Sequence, residues 1–388
     1  MPFDALAPLP GPPDPWAPSS MPALRGGPPY AMTDMIAAEP ALAERIAARL
    51  AADPRAEAVA ASIRKAAADG KPILTTGCGT SEHAAMVAAA ILRQALAAAG
   101  LRADRVASVQ AFELVAPSEG LVLAVSHEGG TAATNAALER SRAAGATTVL
   151  LTVGGGSPGA ALADDLLLTG EQDQSWCHTV GYVSPMVAAA VLGGMVAGDP
   201  VSPIAIRALL DAADHAPSAE RIATALASCS RIVSVGSGLD HASARELALK
   251  VEEGAHLPAQ ALQLETILHG HLAAMDARTG LVLVLTDAEA RGTELLDRAL
   301  TVLRAAAALG MSAAGILAAD LGDDVPLDLT PAGRSAVPVA HDLPRSVVAA
   351  LGTAIPLQLT AERLARARGI NPDPIGRDDP RQAAAARA

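Results

Sequence analysis

Several common residue types and patterns are scarce in this chain. Basic residues are in the minority, with 29 Lys and Arg against 41 Asp and Glu and a formal net charge of −12. They cluster nowhere, so a surface that neutralises nucleic-acid phosphates is excluded and a small partner is expected. The three cysteines, Cys78, Cys177 and Cys229, have no CxxC spacing. Neither a disulfide framework nor a zinc site follows from them, and a reducing cytoplasm is the expected compartment. Long apolar runs are missing too. The longest stretch without charge, "VSPMVAAAVLGGMVAG" at 183–198, is too short and too rich in glycine for a membrane span and reads as a buried core helix. The opening "MPFDALAPLPGPPDPWAPSSMPALRGGPP" lacks a basic start followed by an apolar run, so it is not expected to be a signal peptide. Its prolines would interrupt a helix, and residues 1–30 are expected to be a disordered leader, with order beginning near Tyr30.

What is present is a chain of 388 residues, 51% hydrophobic and 18% charged, large enough to bury one or two cores. Internal repetition decides how they are arranged. "KPILTTGCGTSEHAAM" at 71–86 has a counterpart in "SRIVSVGSGLDHASAR" at 230–245: an apolar strand, G-x-G, a histidine soon after, then a helix. "LVLAVSHEGGTAATNAAL" from 121 is echoed by "LVLVLTDAEARGTELLDRAL" from 281 at nearly the same offset. Strands alternating with helices imply βαβ units, and hence an α/β fold of two domains, each a doubly wound parallel sheet with helices on both faces. Strands are expected near 72–77, 105–109, 121–126, 147–153 and 165–169, then 230–236, 259–263, 281–286, 312–317 and 326–329. The expected organisation is a first domain with an N-terminal helix over 31–205, a second over 206–365, and a C-terminal tail over 366–388 that lies near the active site.

Ligands of such sheets sit at the carboxyl ends of the strands, where both glycine-rich turns fall. The first, "GCGTSE", lacks the third glycine of a dinucleotide motif, and no acidic residue follows a second strand at the expected distance. Gly79, Thr80 and Ser81 instead offer backbone N–H groups and hydroxyls at a helix start, which suits a phosphate or several sugar hydroxyls. Ser81 can also be read as an ordinary helix cap. Farther on, Glu246, Lys250 and Glu253 are spaced i, i+4, i+7 and share one helix face, with Glu252 about a quarter-turn away. That stripe is either a solvated Glu–Lys pair or the acid, base and cation of a proton-transfer site.

"GCGTSEHA", "SHEGGTAAT" and "RELALKVEEGAHLPAQALQLETILHGHLAAMD" resemble the three main signatures of the sugar isomerase (SIS) domain family in tandem, most closely the isomerase half of the glucosamine-6-phosphate synthases. The resemblance runs from about Met32 to Arg381. It implies two SIS domains and makes Glu253 the base that moves a proton through an enediol. It also makes His269 a ring-opening residue contributed by the neighbouring subunit of a homodimer. No N-terminal Cys nucleophile stands at the chain's start, so a glutamine-dependent synthase is not expected.

The departures from the family pattern are informative. Its phosphate loop, usually S-Q-S-G-E-T, reads here Ser126, His127, Glu128, Gly129, Gly130, Thr131. The Glu128 carboxylate stands where a phosphate-binding hydroxyl is usual, and it opposes a phosphate unless His127 is protonated beside it or Glu128 turns to solvent. "SWCHTVGYVSP" puts His178 and Thr179 where small hydroxyl residues are typical. Trp176 and Tyr182, two of the six aromatics, are candidates for sugar stacking, with core packing as the default. In the tail, Ala385 replaces a lysine that the family uses for imine chemistry, which leaves Lys250 as the nearby amine. The expected function is a metal-independent and cofactor-independent sugar isomerase or aminosugar deaminase/isomerase acting on a hexose derivative. The alternatives are a fructosamine-type deglycase and a non-catalytic sugar-phosphate sensor.

Overall fold

The computed structural model describes residues 3–387, apart from the side chain of Ala288. Its contacts divide the chain into two units. The first holds the chain up to Ser20, Ala38–Asp173 and Val180–Ala208; the second holds Met21–Ala37, Gln174–Thr179 and the chain from Leu209 onward.

Two helices, α1 (Ala31–Ala51) and α2 (Pro54–Ala68), precede the first sheet. The side chain of Asp53 caps α2 by accepting from the Arg55 N–H, and Pro54 occupies the first helical position, where no donor is needed. The chain then runs β1 (Ile73–Gly77), α3 (Thr80–Ala98), β2 (Val106–Gln110), β3 (Leu121–Val125), α4 (Ala132–Ala144), β4 (Thr147–Thr152) and β5 (Asp165–Leu168), followed by α5 (Val180–Ala197) and α6 (Pro203–Ala213). The five strands are parallel in the order β2-β1-β3-β4-β5. Central β3 is buried at every residue, which is why its sequence is a continuous apolar run rather than an alternation. The apolar stretch at 183–198 becomes α5, which packs on α3. Its mean hydropathy is 1.7, and 89% of it is buried, which makes it a core helix.

The second unit contains α7 (Ala216–Leu226), β6 (Arg231–Val235), α8 (His241–Ala255), β7 (Ala259–Leu262), α9 (Leu264–Leu268), β8 (Thr279–Leu285), α10 (Glu294–Ala308), β9 (Ser312–Ala318), β10 (Gly333–Val337), α11 (Arg345–Ala367) and α12 (Pro380–Ala385). Its parallel order, β10-β9-β8-β6-β7, is the first sheet's order with β6 in the place of β1. The two strand-to-helix turns are built alike. A Cβ on Gly77 would lie 2.6 Å from the Ser81 backbone, and one on Gly236 would lie 2.7 Å from the Asp240 carbonyl oxygen, so each helix start approaches as only glycine allows. Thr75 Oγ1 donates to the Ala85 carbonyl at 2.6 Å, and Ser234 Oγ donates to the carbonyl of Ala244, likewise ten residues on.

Two expectations are corrected. The strand expected at 326–329 is a 3₁₀ turn over Leu327–Leu329, and the fifth strand is Gly333–Val337, paired with Ala314–Ala318. Pro326 has no N–H for a ladder and Leu327 is 78% exposed, so that stretch has neither the donors nor the burial of a strand. The expected boundary at 205/206 lies three residues from the division at Ala208/Leu209, within α6, and the one at 365/366 lies within α11. The described part of the leader is not disordered: Leu9 is buried, its N–H donates to Glu171 Oε2 at 3.1 Å, and the Pro10 carbonyl accepts from the Gln172 N–H at 2.9 Å. A proline-rich segment has little backbone freedom to lose, so a few anchors suffice to order it.

Asp240 secures the second turn from inside. It is 1% exposed; its Oδ2 accepts from the Thr286 N–H at 3.0 Å, and Thr286 Oγ1 donates to its other oxygen. Burial pushes its carboxyl from 3.8 up to about 7, against the opposing pull of the Thr286 bonds. The folded state therefore binds more protons than the unfolded state between about pH 4 and about 7, and stability falls as pH rises through that window. Asp240→Asn keeps the shape and removes the charge. Urea unfolding at pH 5 and pH 8 should show a smaller loss of stability in the variant than in the wild type, whereas equal losses would mean that Asp240 titrates normally.

Candidate functional site

The carboxyl edge of the first sheet carries the two turns singled out from the sequence. Gly79, at φ +57°, is the N-cap of α3, and no side chain caps that helix, so Ser81 is not a cap. Thr80 is buried and Ser81 half-buried in the first helical turn. In the second turn Ser126 Oγ lies 3.4 Å from Thr131 Oγ1, and Thr131 is the exposed N-cap of α4. His127 is 7% exposed, and its Nε2 accepts from the Asp173 N–H at 3.0 Å. A nitrogen that accepts this bond carries no proton, so His127 is not the protonated neighbour that would offset Glu128. Glu128 is half-buried, and its carboxylate is engaged by the chain itself. Its carboxylate accepts from the Ser19 hydroxyl, from the Ser19 N–H at 3.2 Å and from Gln172 Nε2 at 3.3 Å. Its carbonyl takes the Trp16 indole N–H at 3.0 Å.

In the second unit the helical stripe is realised and buried. Glu246 and Lys250 are fully buried, while the Glu253 side chain keeps 23% of its surface. Lys250 Nζ lies 3.5 Å from Glu246 Oε1 and forms a second ion pair with Glu253 Oε2. A solvated Glu–Lys face is therefore ruled out. Burial alone would lower the Lys250 pKa, but the neighbouring Glu253 and Glu246 carboxylates outweigh it and hold the ammonium above the ordinary lysine value. An ammonium paired with two carboxylates has no free lone pair with which to attack a carbonyl. What it does is fix a positive charge against Glu253. Cys177 Sγ lies 3.9 Å from the same Glu253 oxygen.

His269 is placed elsewhere in that unit. It is 73% exposed, bonded through Nε2 to Glu265 Oε1 at 2.8 Å, and it lines a surface cavity of about 660 Å³ together with His271, Arg231 and Gln260. None of Glu246, Lys250 and Glu253 lines that cavity. The loop bearing His178 and Thr179 is tied to the tail: Ser175 Oγ donates to Asp373 Oδ1 at 3.0 Å, and the Trp176 N–H donates to the Asp373 carbonyl at 3.1 Å. Asp373, with no exposed surface, also accepts the N–H groups of Ala31 and Met32 at 2.8 Å each, holding the start of α1. His178 is half-buried; Thr179 is buried, and its carbonyl accepts from Gln358 Nε2 at 3.3 Å. The Arg377 guanidinium lies 5.0 Å from the centre of the Trp176 ring, over one of its faces, and Tyr182 is wholly buried in α5, which is the core packing taken as its default. Among the described residues no three His, Cys, Asp or Glu side chains gather as metal ligands.

Sequence reasoning missed Cys177, Asp240, Asp373 and the Trp16–Ser19 contacts. Asp240 alone had a visible signal, as the residue that follows the second G-x-G turn where Ser81 follows the first.

Residues 68–197 match the family described as the SIS domain. Glutamine–fructose-6-phosphate aminotransferase [isomerizing] of Pyrococcus horikoshii is 27% identical over 313 residues, 78% of this chain and 50% of that protein. The chain thus spans about half the length of the curated relatives it matches. In fold it is similar to the C-terminal domain of glucosamine-fructose-6-phosphate aminotransferase from Francisella tularensis, with a TM-score of 0.75, 21% identity and 90% and 99% of the two chains covered. It is also similar to tagatose-6-phosphate ketose/aldose isomerase from Escherichia coli, with a TM-score of 0.72, 20% identity and 91% and 98% covered. A SIS domain is thus matched over residues 68–197, and over a longer span the chain is similar to the isomerase part of glucosamine-fructose-6-phosphate aminotransferase.

Proposed function

We propose that this protein is an isomerase or deaminase/isomerase of a hexose derivative, and that Glu253 moves the proton. The observation that supports this most is that the buried stripe on α8 ends in one partly exposed carboxylate, with Lys250 locked as a cation beside it. Aldose–ketose interconversion removes a proton from the carbon next to a carbonyl and returns it to the neighbouring carbon, with an enediol between the two steps. Glu253 takes and returns that proton; Lys250 holds the carboxylate in place. The hydroxyl-bearing turns at Gly79, Thr80, Ser81, Ser126 and Thr131, and the loop at His178 and Thr179, contribute to sugar binding in this reading. The relatives' names contain fructose 6-phosphate and tagatose 6-phosphate, so ketose phosphates are the first sugars to test. The proposed transfer draws on side chains alone and needs neither metal nor cofactor. The deglycase alternative relied on Glu128 to hold an ammonium, and the bonds from Ser19 and Gln172 to that carboxylate leave it unsupported.

Sugars and sugar phosphates incubated with the protein in deuterated water should acquire label at C1 or C2. Glu253→Gln should cut that exchange by about 10²–10⁴-fold while ligand affinity stays within a few-fold. A variant that exchanges at nearly the wild-type rate would remove Glu253 from the role of base, and no exchange with any sugar would favour the sensor.

His269 belongs to the proposal as a residue lent by the partner subunit of a two-fold homodimer. His269→Asn and Glu253→Gln chains, each inactive alone, form one intact site per mixed dimer, so an equal mixture should recover about a quarter of wild-type activity. No recovery despite demonstrated subunit exchange would place both residues in one subunit's site.

A further inference from the structure

The proline-rich segment at 9–19 crosses the part of the first sheet where parallel sheets hold their ligands. Gly11 lies against the Gly170 carbonyl after β5, Pro12 against Gly154 after β4, and Trp16 against Gly130 after β3, so the segment runs over three successive strand ends. The turns are shaped to receive it. A Cβ on Gly154 would lie 2.3 Å from Pro12, and one on Gly130 would lie 2.8 Å from the Trp16 ring. The anchors gather at the two ends of the segment. At one, Glu171 accepts the Leu9 N–H and is held by Arg45 through two bonds of 2.8 Å. At the other, Trp16 and Ser19 bond to Glu128, and Gln172 Nε2 donates to Ser19 Oγ at 2.7 Å. Between them Pro13, Asp14 and Pro15 are exposed and carry no strand or helix.

We propose that residues 9–19 are a gate across this edge: docked, they shut the β3–α4 turn to a phosphate, and a phosphorylated ligand enters only when they leave. The inference rests on the reading that this turn faces the ligand. With the gate down, the indole stands against Gly130 on one side of the turn, and Ser19 occupies the carboxylate that replaces a hydroxyl at this turn. An anion at the start of α4 would have to displace both. The same contacts give Glu128 a role for which a phosphate-binding turn has no use. It is the catch that Ser19 closes on, and so its charge is not presented to a ligand.

The full-length chain and its Trp16→Ala/Ser19→Ala variant should be titrated calorimetrically with inorganic phosphate and with fructose 6-phosphate, while hydrogen exchange over residues 9–19 reports whether the gate is released. The variant should bind both anions at least tenfold more tightly than the wild type. Saturating fructose 6-phosphate should raise exchange at 9–19 in the wild type. Ser19→Ala alone, which leaves the indole in place, should shift affinity in the same direction by less. Equal affinities despite a freely exchanging segment would overturn the gate, as would a released segment with no anion binding at all. Both readouts are independent of turnover, so a failure of the isomerase reading shows in the deuterium label and a failure of the gate shows in anion affinity.

Discussion

An ammonium with no exposed surface must be compensated, and Lys250 has two carboxylates to do it. Leaving either charge unpaired in the interior costs about 3–5 kcal/mol, so the three side chains are fixed as a set. That requirement determines much of the second unit. It needs a helix long enough to place residues at i, i+4 and i+7 on one face, and α8 is that helix. It also needs the helix to start close to its sheet, which the bare Gly236 and the Asp240–Thr286 bonds secure. The only member of the set that keeps solvent contact is Glu253, so the cluster leaves one partly exposed carboxylate held by a fixed charge.

The first unit applies the same strand-to-helix turn to a different end. Where the second unit puts a buried carboxyl behind its turn, the first puts hydroxyls in the turn and covers the next one with a segment from a hundred residues away. Glu128 illustrates how a residue type misleads when its partner is unknown. As a lone carboxylate in a phosphate loop it predicts either repulsion or solvation, and the Ser19 and Gln172 donors replace both outcomes with a structural contact.

Much of the fold was legible because its signals are local. The apolar runs at 73–77 and 121–125 are central parallel strands buried on both faces, and their limits were read to within a residue. The two G-x-G turns stood out because the close approach of helix to strand tolerates only glycine there. The fifth strand of the second sheet misled because "GRSAV" carries Arg and Ser, while the more apolar "PLDL" before it is an exposed turn. The stripe at 246, 250 and 253 could be read as one face from its spacing, but spacing does not say whether that face is wet. Contacts that join distant residues left no trace at all. Trp16 and Glu128 are 112 positions apart, and Asp373 reaches back to Ala31 across 342, with no pattern near either partner to announce them.

The central claim is that the buried charge of Lys250 serves Glu253 and is not merely structural. It is tested by removing the buried pair together, as Lys250→Met with Glu246→Leu, and measuring both urea stability and deuterium incorporation into the sugar that the wild type labels best. Replacing a buried ion pair by apolar groups of similar size is close to neutral for stability. The double variant should therefore fold with near wild-type stability and still lose at least about a hundredfold in exchange, on the scale of a lost general base. A stable double variant that exchanges at the wild-type rate would contradict the account.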